Sequence, residues 1–370
     1  MCKPIFGIYS QFLQISFGQT SATVLSSTLE GAITHDDITR FLGTAELDGK
    51  ALWLSVKKTV RDLEQAEANS AEREGAEWVA SQVLVIDDHI AEKPHMKING
   101  FVCKHWDHSV GRNVKGINQM SAIYEVGGYS IPVDADFIRK TKVVKDKKTG
   151  KDKWVSEENK NEQFRNIVRQ AVKNGLQIRY VAADKWYTSV ENMKCIKTEC
   201  GLEFVLPLKS NRLVALSLAD KQKGHYQAVE LIDFQGKQVR EVYLKGIDFP
   251  VVLVKQVFTN KDKSTGCLFL VSSDLRLDYD KITAIYQIRW KVEEHHKSLK
   301  SNFGYGKSPA YSVKAQANHC MMALYAFFDW EILAHKMKTN HFALKMQVYK
   351  KALQEAWRYI DNLKAKIVFQ

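Results

Sequence analysis

The sequence predicts a mixed α/β protein, with a core sheet interrupted by a β-rich segment and preceded by helices. Three observations carry this. Short β-branched apolar runs, Val83-Leu-Val-Ile86 and Leu176 to Ala183, stand on either side of an amphipathic helical stretch from Glu158 to Asn174. From Lys209 to Leu270 strand-like runs such as Val239–Tyr243 and Val251–Val257 alternate with turn signals at Gln235-Gly236 and Lys263-Ser-Thr-Gly266. The first 77 residues carry helix start and stop signals instead of strand patterns.

In that opening stretch Gly31 ends a helix begun near Gln19, and Thr34-x-x-Asp37 caps the next, His35 to Leu42. So short a connection suits either a helical hairpin or a DNA-reading helix-turn-helix. Past Ile86, strand-like stretches at Phe101–Lys104 and Ile117–Val133 are broken by Gly127-Gly128. Residues Arg139 to Lys153 form a run of eight basic and two acidic side chains, either a solvated loop or a track along a phosphate backbone. A helix ended by Gly175, the strand to Ala183, a short helix near Ser189–Thr198 and a strand at Glu203–Leu208 follow. One long helix is expected from near Tyr279 and another over Ala315–Lys338. The segments are therefore 1–77 helical, 78–208 core, 209–270 β-rich insertion, 271–338 the rest of the core, and 339–370 a helical tail.

At 370 residues with 54 Lys+Arg against 42 Asp+Glu, the chain carries a formal charge of +12 and favours a polyanionic partner. Its 45% hydrophobic and 26% charged residues exclude a largely disordered chain. The longest apolar stretch, Cys320 to Phe328, is too short to span a bilayer. Six scattered cysteines, with Cys195 and Cys200 the one close pair, form no disulfide framework and no C-x-x-C. With no secretory pattern at the N-terminus, a reducing cytoplasm is expected.

Acidic residues fall where open sheets place chemistry, after strands: Asp87-Asp88 follows Val-Leu-Val-Ile, and Asp184 follows Tyr-Val-Ala-Ala. Either aspartate alone commonly caps a turn. Neighbouring strands that bring both together could hold a divalent cation, since Mg²⁺ takes few protein carboxylates and leaves room for phosphate. On a continuous helix Tyr286, Arg289, Glu293, His296, Lys297 and Lys300 fall within an arc of about 100°. Ile285, Ile288, Val292 and Leu299 form the adjoining apolar stripe, and Glu294 points elsewhere. That face suits a solvated Arg289–Glu293 ion pair, or an acid for a metal beside cations for phosphates. His295 and His296 point about 100° apart and do not readily share one ion. His105-Trp-Asp107-His108 lacks a nucleophile and reads as structural or DNA-contacting, and Trp186 reads as core packing.

Tyr286-x2-Arg289-x3-Glu293-x6-Lys300 resembles, residue for residue, the signature helix of the IS-four family of DDE transposases. Ile86-Asp87-Asp88-His89 and Val181-Ala-Ala-Asp184-Lys-Trp186 resemble that family's first and second aspartate motifs, in the same order and with a β-rich segment before the glutamate. The resemblance implies an RNase H-like core in which Asp88, Asp184 and Glu293 are catalytic and bind two Mg²⁺ ions, for which Mn²⁺ can substitute. Asp88 is chosen over Asp87 because similar motifs place an acid just before the catalytic aspartate. It further implies that Tyr286, Arg289 and Lys300 contact DNA phosphates, with Lys297 and His296 alongside. The implied activity is cut-and-paste transposition, cleavage and strand transfer of insertion-sequence ends. The implied partners are the terminal inverted repeats and target DNA, bound as a dimer, in a prokaryotic cytoplasm at the nucleoid. Some relatives hold a flipped base with a Trp in the insertion; here none lies between Trp186 and Trp290, which leaves aromatics such as Phe258. Two other functions stay open: a metal-dependent nuclease without strand transfer, and a DNA-binding protein that has lost catalysis.

Overall fold

The computed structural model describes residues 3–72, 80–107, 110–147, 149–234, 236, 238–259 and 262–368. Cys2, the expected boundary at 77–78, His108, Lys148 and Gln235 lie outside the described residues. Four helices open the chain: α1 (Lys3–Ile15), α2 (Ala22–Thr28), α3 (His35–Thr44) and α4 (Gly49–Ala71). The expected caps form, with Thr34 accepting from the Asp37 N–H at 3.2 Å and Gly31 left-handed at φ +81°.

Strands follow as β1 (Val83–Glu92), β2 (Cys103–Asp107), β3 (Arg112–Val126), β4 (Tyr129–Phe137), β5 (Lys140–Lys145) and β6 (Asp152–Ser156). Gly127 and Gly128, at φ +57° and +81°, make the tight turn that pairs β3 with β4. Next come α5 (Lys160–Lys173), β7 (Tyr180–Ala183), α6 (Val190–Lys194), β8 (Glu203–Leu208), β9 (Leu213–Ala215), α7 (Leu218–Lys223), β10 (Gln227–Ala228), β11 (Val239–Leu244), β12 (Val251–Thr259) and β13 (Thr265–Ser272). The chain closes with α8 (Tyr279–Ile288), α9 (Trp290–Asn302), α10 (Val313–Lys336) and α11 (His341–Val368).

Among the described residues eleven strands join in one mixed sheet, in the order β10-β9-β11-β12-β13-β8-β7-β1-β3-β2, with β4 beside β3. β1, β7 and β8 are parallel neighbours, and β13 continues antiparallel from β8. The β-rich segment thus extends the core sheet edge. Alternate residues Val83 and Val85 on β1, Tyr180 and Ala182 on β7 and Val205 on β8 share a core with Ile282, Ile285 and Tyr286 of α8. Phe258 on β12 is half exposed, its ring over Gly266 across the β12–β13 pair.

Three expectations need correction. β1 does not stop at Ile86 but runs through Asp87 and Asp88 to Glu92. The basic run forms the paired strands β5 and β6, outside the large sheet. The long helix from Tyr279 is broken at Arg289, where Arg289 N–H donates to the Tyr286 carbonyl and Val292 N–H to that of Arg289, three-residue spacings that tighten the turn.

Two compact units contain these elements. One comprises Trp53–Ile90 and Lys97–Glu294 and holds the sheet. The other gathers Met1–Leu52, Ala91–Met96 and His295–Gln370. Within it α10 is buried along most of its length, and Asn318 donates to the Leu42 and Ala45 carbonyls at 2.7 and 2.8 Å. No helix among the described residues is long and apolar enough to cross a membrane.

Candidate active site

β1 and β7 run parallel with Val83 level with Tyr180 and Ile86 level with Ala183. One step further brings Asp87 level with Asp184, the residue immediately after β7. Because side chains alternate along a strand, Asp87 continues the face of Val83 and Val85, and Asp184 that of Tyr180 and Ala182. This is the face covered by α8. Asp88, one residue on, faces the other way.

The electrostatics agree with that alternation. Burial, then the charges of Asp88 and Asp184, push the Asp87 carboxyl up to about 7, against a hydrogen bond from the Asp88 N–H at 2.8 Å and the nearby Arg289 guanidinium. Burial would also raise Asp88, but Lys160 at 2.6 Å, with a hydrogen bond from the Tyr187 hydroxyl and the Asn118 amide nearby, holds it below the ordinary value. Lys160 opens α5, whose start is fixed by a reciprocal box between Asn159 and Glu162. Tyr187 is buried, its ring stacked on Phe164 at 5.1 Å, and its hydroxyl is pushed well up by burial and by Asp88.

From α8 and α9 come Tyr286, Arg289 and Glu293. The buried Arg289 guanidinium donates to Glu293 at 2.8 Å and lies over the rings of Tyr286 and Trp290, at 5.6 and 4.8 Å. Asp184 acts electrostatically on both Tyr286 and Arg289. The Arg289 Nε is buried with no hydrogen-bond partner among the described residues. Burial raises the Tyr286 hydroxyl above its usual range.

Of the sequence-predicted residues, then, Asp184 lies near Tyr286 and Arg289 with Asp87 beside it, and Glu293 reaches this group through its ion pair with Arg289. Asp88 turns to Lys160 and Tyr187. His296, expected on an open polar face, is buried. Lys297 and Lys300 are exposed and fall in the other compact unit, Lys297 with its ammonium 5.0 Å above the Phe342 ring. Trp186, expected in the core, is 54% exposed. Lys160, Tyr187 and Asn118 went unremarked in the sequence. Tyr187 alone had a positional signal, three residues after Asp184.

Adjacent parallel strands carrying a carboxylate pair, faced by an arginine–glutamate pair from the following helices, define an α/β protein with a concentrated acidic and cationic site. The chain belongs to the transposase DDE domain family, whose model matches residues 80–328. No curated protein matches it. Nine chains of solved structures match, among them the Drosophila P element transposase strand transfer complex, with 11% identity and a TM-score of 0.27. That match covers 56% of this chain and 41% of the other, so less than half of that chain's length is spanned.

Proposed function

We propose that this protein is a transposase of the IS-four type, cutting and joining the ends of an insertion sequence by cation-dependent phosphoryl transfer on DNA. The carrying observation is the Asp87–Asp184 pair on neighbouring strands, facing Arg289 and Glu293 within the family-matched segment. Support for an RNase H-like core lies in the parallel β1, β7 and β8 beside the β3–β4 hairpin. The partners that follow are terminal inverted repeats and target DNA, consistent with the +12 charge, with the protein acting as a dimer on DNA in a prokaryotic cytoplasm.

The donor set suits hard divalent cations, Mg²⁺ or Mn²⁺, because it consists of carboxylate oxygens, and burial together with the neighbouring Asp88 and Asp184 charges raises Asp87 to about 7. Among the described residues no three His, Cys, Asp or Glu side chains are gathered as a metal group, and Glu293 is held by Arg289. Asp87 and Asp184 would hold the cation, with Glu293 joining when Arg289 turns to phosphate. Asp87 takes the place that the sequence resemblance assigned to Asp88, because only Asp87 shares the Asp184 face. When bound, the cation supplies Lewis acidity toward the phosphate and the oxygen nucleophile. Arg289 and Tyr286 supply a donor pair for phosphate oxygens, and the exposed Lys297 and Lys300 supply further DNA contacts.

The test is an assay of the purified chain with Mg²⁺, linear DNA carrying the sequences on both sides of its gene, with any inverted repeats they contain, and a target plasmid. Cleavage at the repeat ends with joined products is expected. Cleavage without joining would reduce the function to a nuclease, and binding without cleavage to a DNA-binding protein.

A further inference from the structure

β5 and β6 pair with each other and, among the described residues, with no other strand. Their register sets Val143 opposite Trp154, Val144 opposite Lys153 and Lys142 opposite Val155. A ribbon of two strands buries little, and Val143, Val144 and Trp154 are 50%, 43% and 49% exposed. Such a ribbon is marginal in water on its own. It is also strongly basic: Lys142, Lys145, Lys151 and Lys153 are exposed, and among the described residues none of them is ion-paired to a carboxylate. The root of the ribbon lies near Lys160 and Asp88, the chain neighbour of Asp87. The Lys140 ammonium donates to the Lys104 carbonyl, and the charges of Lys140, Lys160 and Asp88 all act on the buried His105.

We propose that the β5–β6 ribbon is a DNA-contacting arm, lying in the major groove of the duplex that leads to the site, with Trp154 and Val143 against base edges and the lysines on the phosphate walls. The major groove admits a two-stranded ribbon, and thymine methyl groups offer apolar contact there. An eight-to-two excess of basic over acidic residues across 139–153 is complementary to a polyanion and unsuited to an apolar protein partner. This inference rests on the transposase reading and adds a contact outside the carboxylate site.

Two full-length variants test it, K142A/K145A/K153A and W154A, with a linear duplex of arbitrary sequence and one of its single strands as probes. Because all four side chains are exposed, both variants should melt like the parent. The triple variant should bind duplex more weakly and flatten the slope of log K against log salt by about two to three. W154A should lose about fivefold to tenfold in duplex affinity with its slope unchanged. Parental affinity and slope in both variants, or preference of the parent for the single strand, would overturn the arm while leaving end cleavage intact. A parent that neither binds nor cuts DNA would remove the transposase reading itself.

Discussion

Asp87 and Asp88 are neighbours in the chain with opposite surroundings. Asp87 stands level with Asp184 on the face of Arg289, while Asp88 is neutralised by Lys160 and hydrogen-bonded by Tyr187. Asp87→Asn should therefore abolish divalent-cation binding measured by calorimetry and cleavage with it. Asp88→Asn should still bind the cation but melt lower, because it leaves Lys160 partly buried without its partner. The reverse pattern would return Asp88 to the metal site. Asp87 also predicts a pH dependence in chelator-treated protein. Its folded value is about 7 against an ordinary 3.8, so the folded state holds a proton that the unfolded state has released. Stability from this group is complete below about pH 4 and declines as pH rises to about 7. The parent should therefore lose melting temperature across that window, Asp87→Asn should lose less, and added Mg²⁺ should restore the parent at neutral pH. The sequence made both aspartates candidates, but the choice depends on strand register, which only the Ile86–Ala183 pairing supplies.

At the scale of elements, the helix carrying the signature was legible and its break was not. The apolar stripe of Ile285, Val292 and Leu299 is buried as the periodicity required, yet the tightened turn at Arg289 lies in an unbroken helical pattern. Glu293 nonetheless meets Arg289, whereas Glu294 meets the exposed Lys291 at 3.2 Å. Glu293→Gln should cut cleavage by about a hundredfold or more with a near-parental melt, and Glu294→Gln should be close to silent. Activity lost in Glu294→Gln alone would show the register past Arg289 to be wrong. The β5–β6 ribbon was hidden because its composition is that of a loop; cross-strand pairing, not hydrophobic alternation, defines it. Helix starts were legible where a capping pattern was read. Thr34 is one such cap, whereas Asn159, which fixes the turn presenting Lys160, went unremarked in the sequence. Asn159→Ala should cost about 1 kcal/mol in denaturant unfolding, and an unchanged midpoint would mean that packing alone sets that turn.

At the scale of the molecule, the family-matched segment and the packing of the chain do not coincide. The match ends at 328, inside α10, and omits α1 to α3. Yet α10 is buried by those helices. Tyr9 bonds the buried His319 at 2.9 Å, and Ser10 donates to Asp329 at 3.1 Å. Asn318 bonds the Leu42 and Ala45 carbonyls and accepts from the Leu47 N–H at 3.3 Å. The N-terminal helices stand apart in the sequence because the link to α10 leaves no local pattern: Tyr9 and His319 are 310 residues apart. A fragment of residues 80–328 would bare Tyr325, whose ring meets Phe6 of α1 at 4.9 Å, together with the polar groups that bonded α1 and α3. Exposed apolar surface of that kind drives association. The fragment should therefore pellet on expression or, if refolded, lack a cooperative melt, while the full chain melts cooperatively. Asn318→Ala in the full chain tests the same packing more finely. It leaves three backbone groups without their partner, each costing on the order of 1–3 kcal/mol where water cannot reach. A soluble fragment with a sharp melt, together with an Asn318→Ala variant of parental stability, would show that the family-matched segment folds without the N-terminal helices.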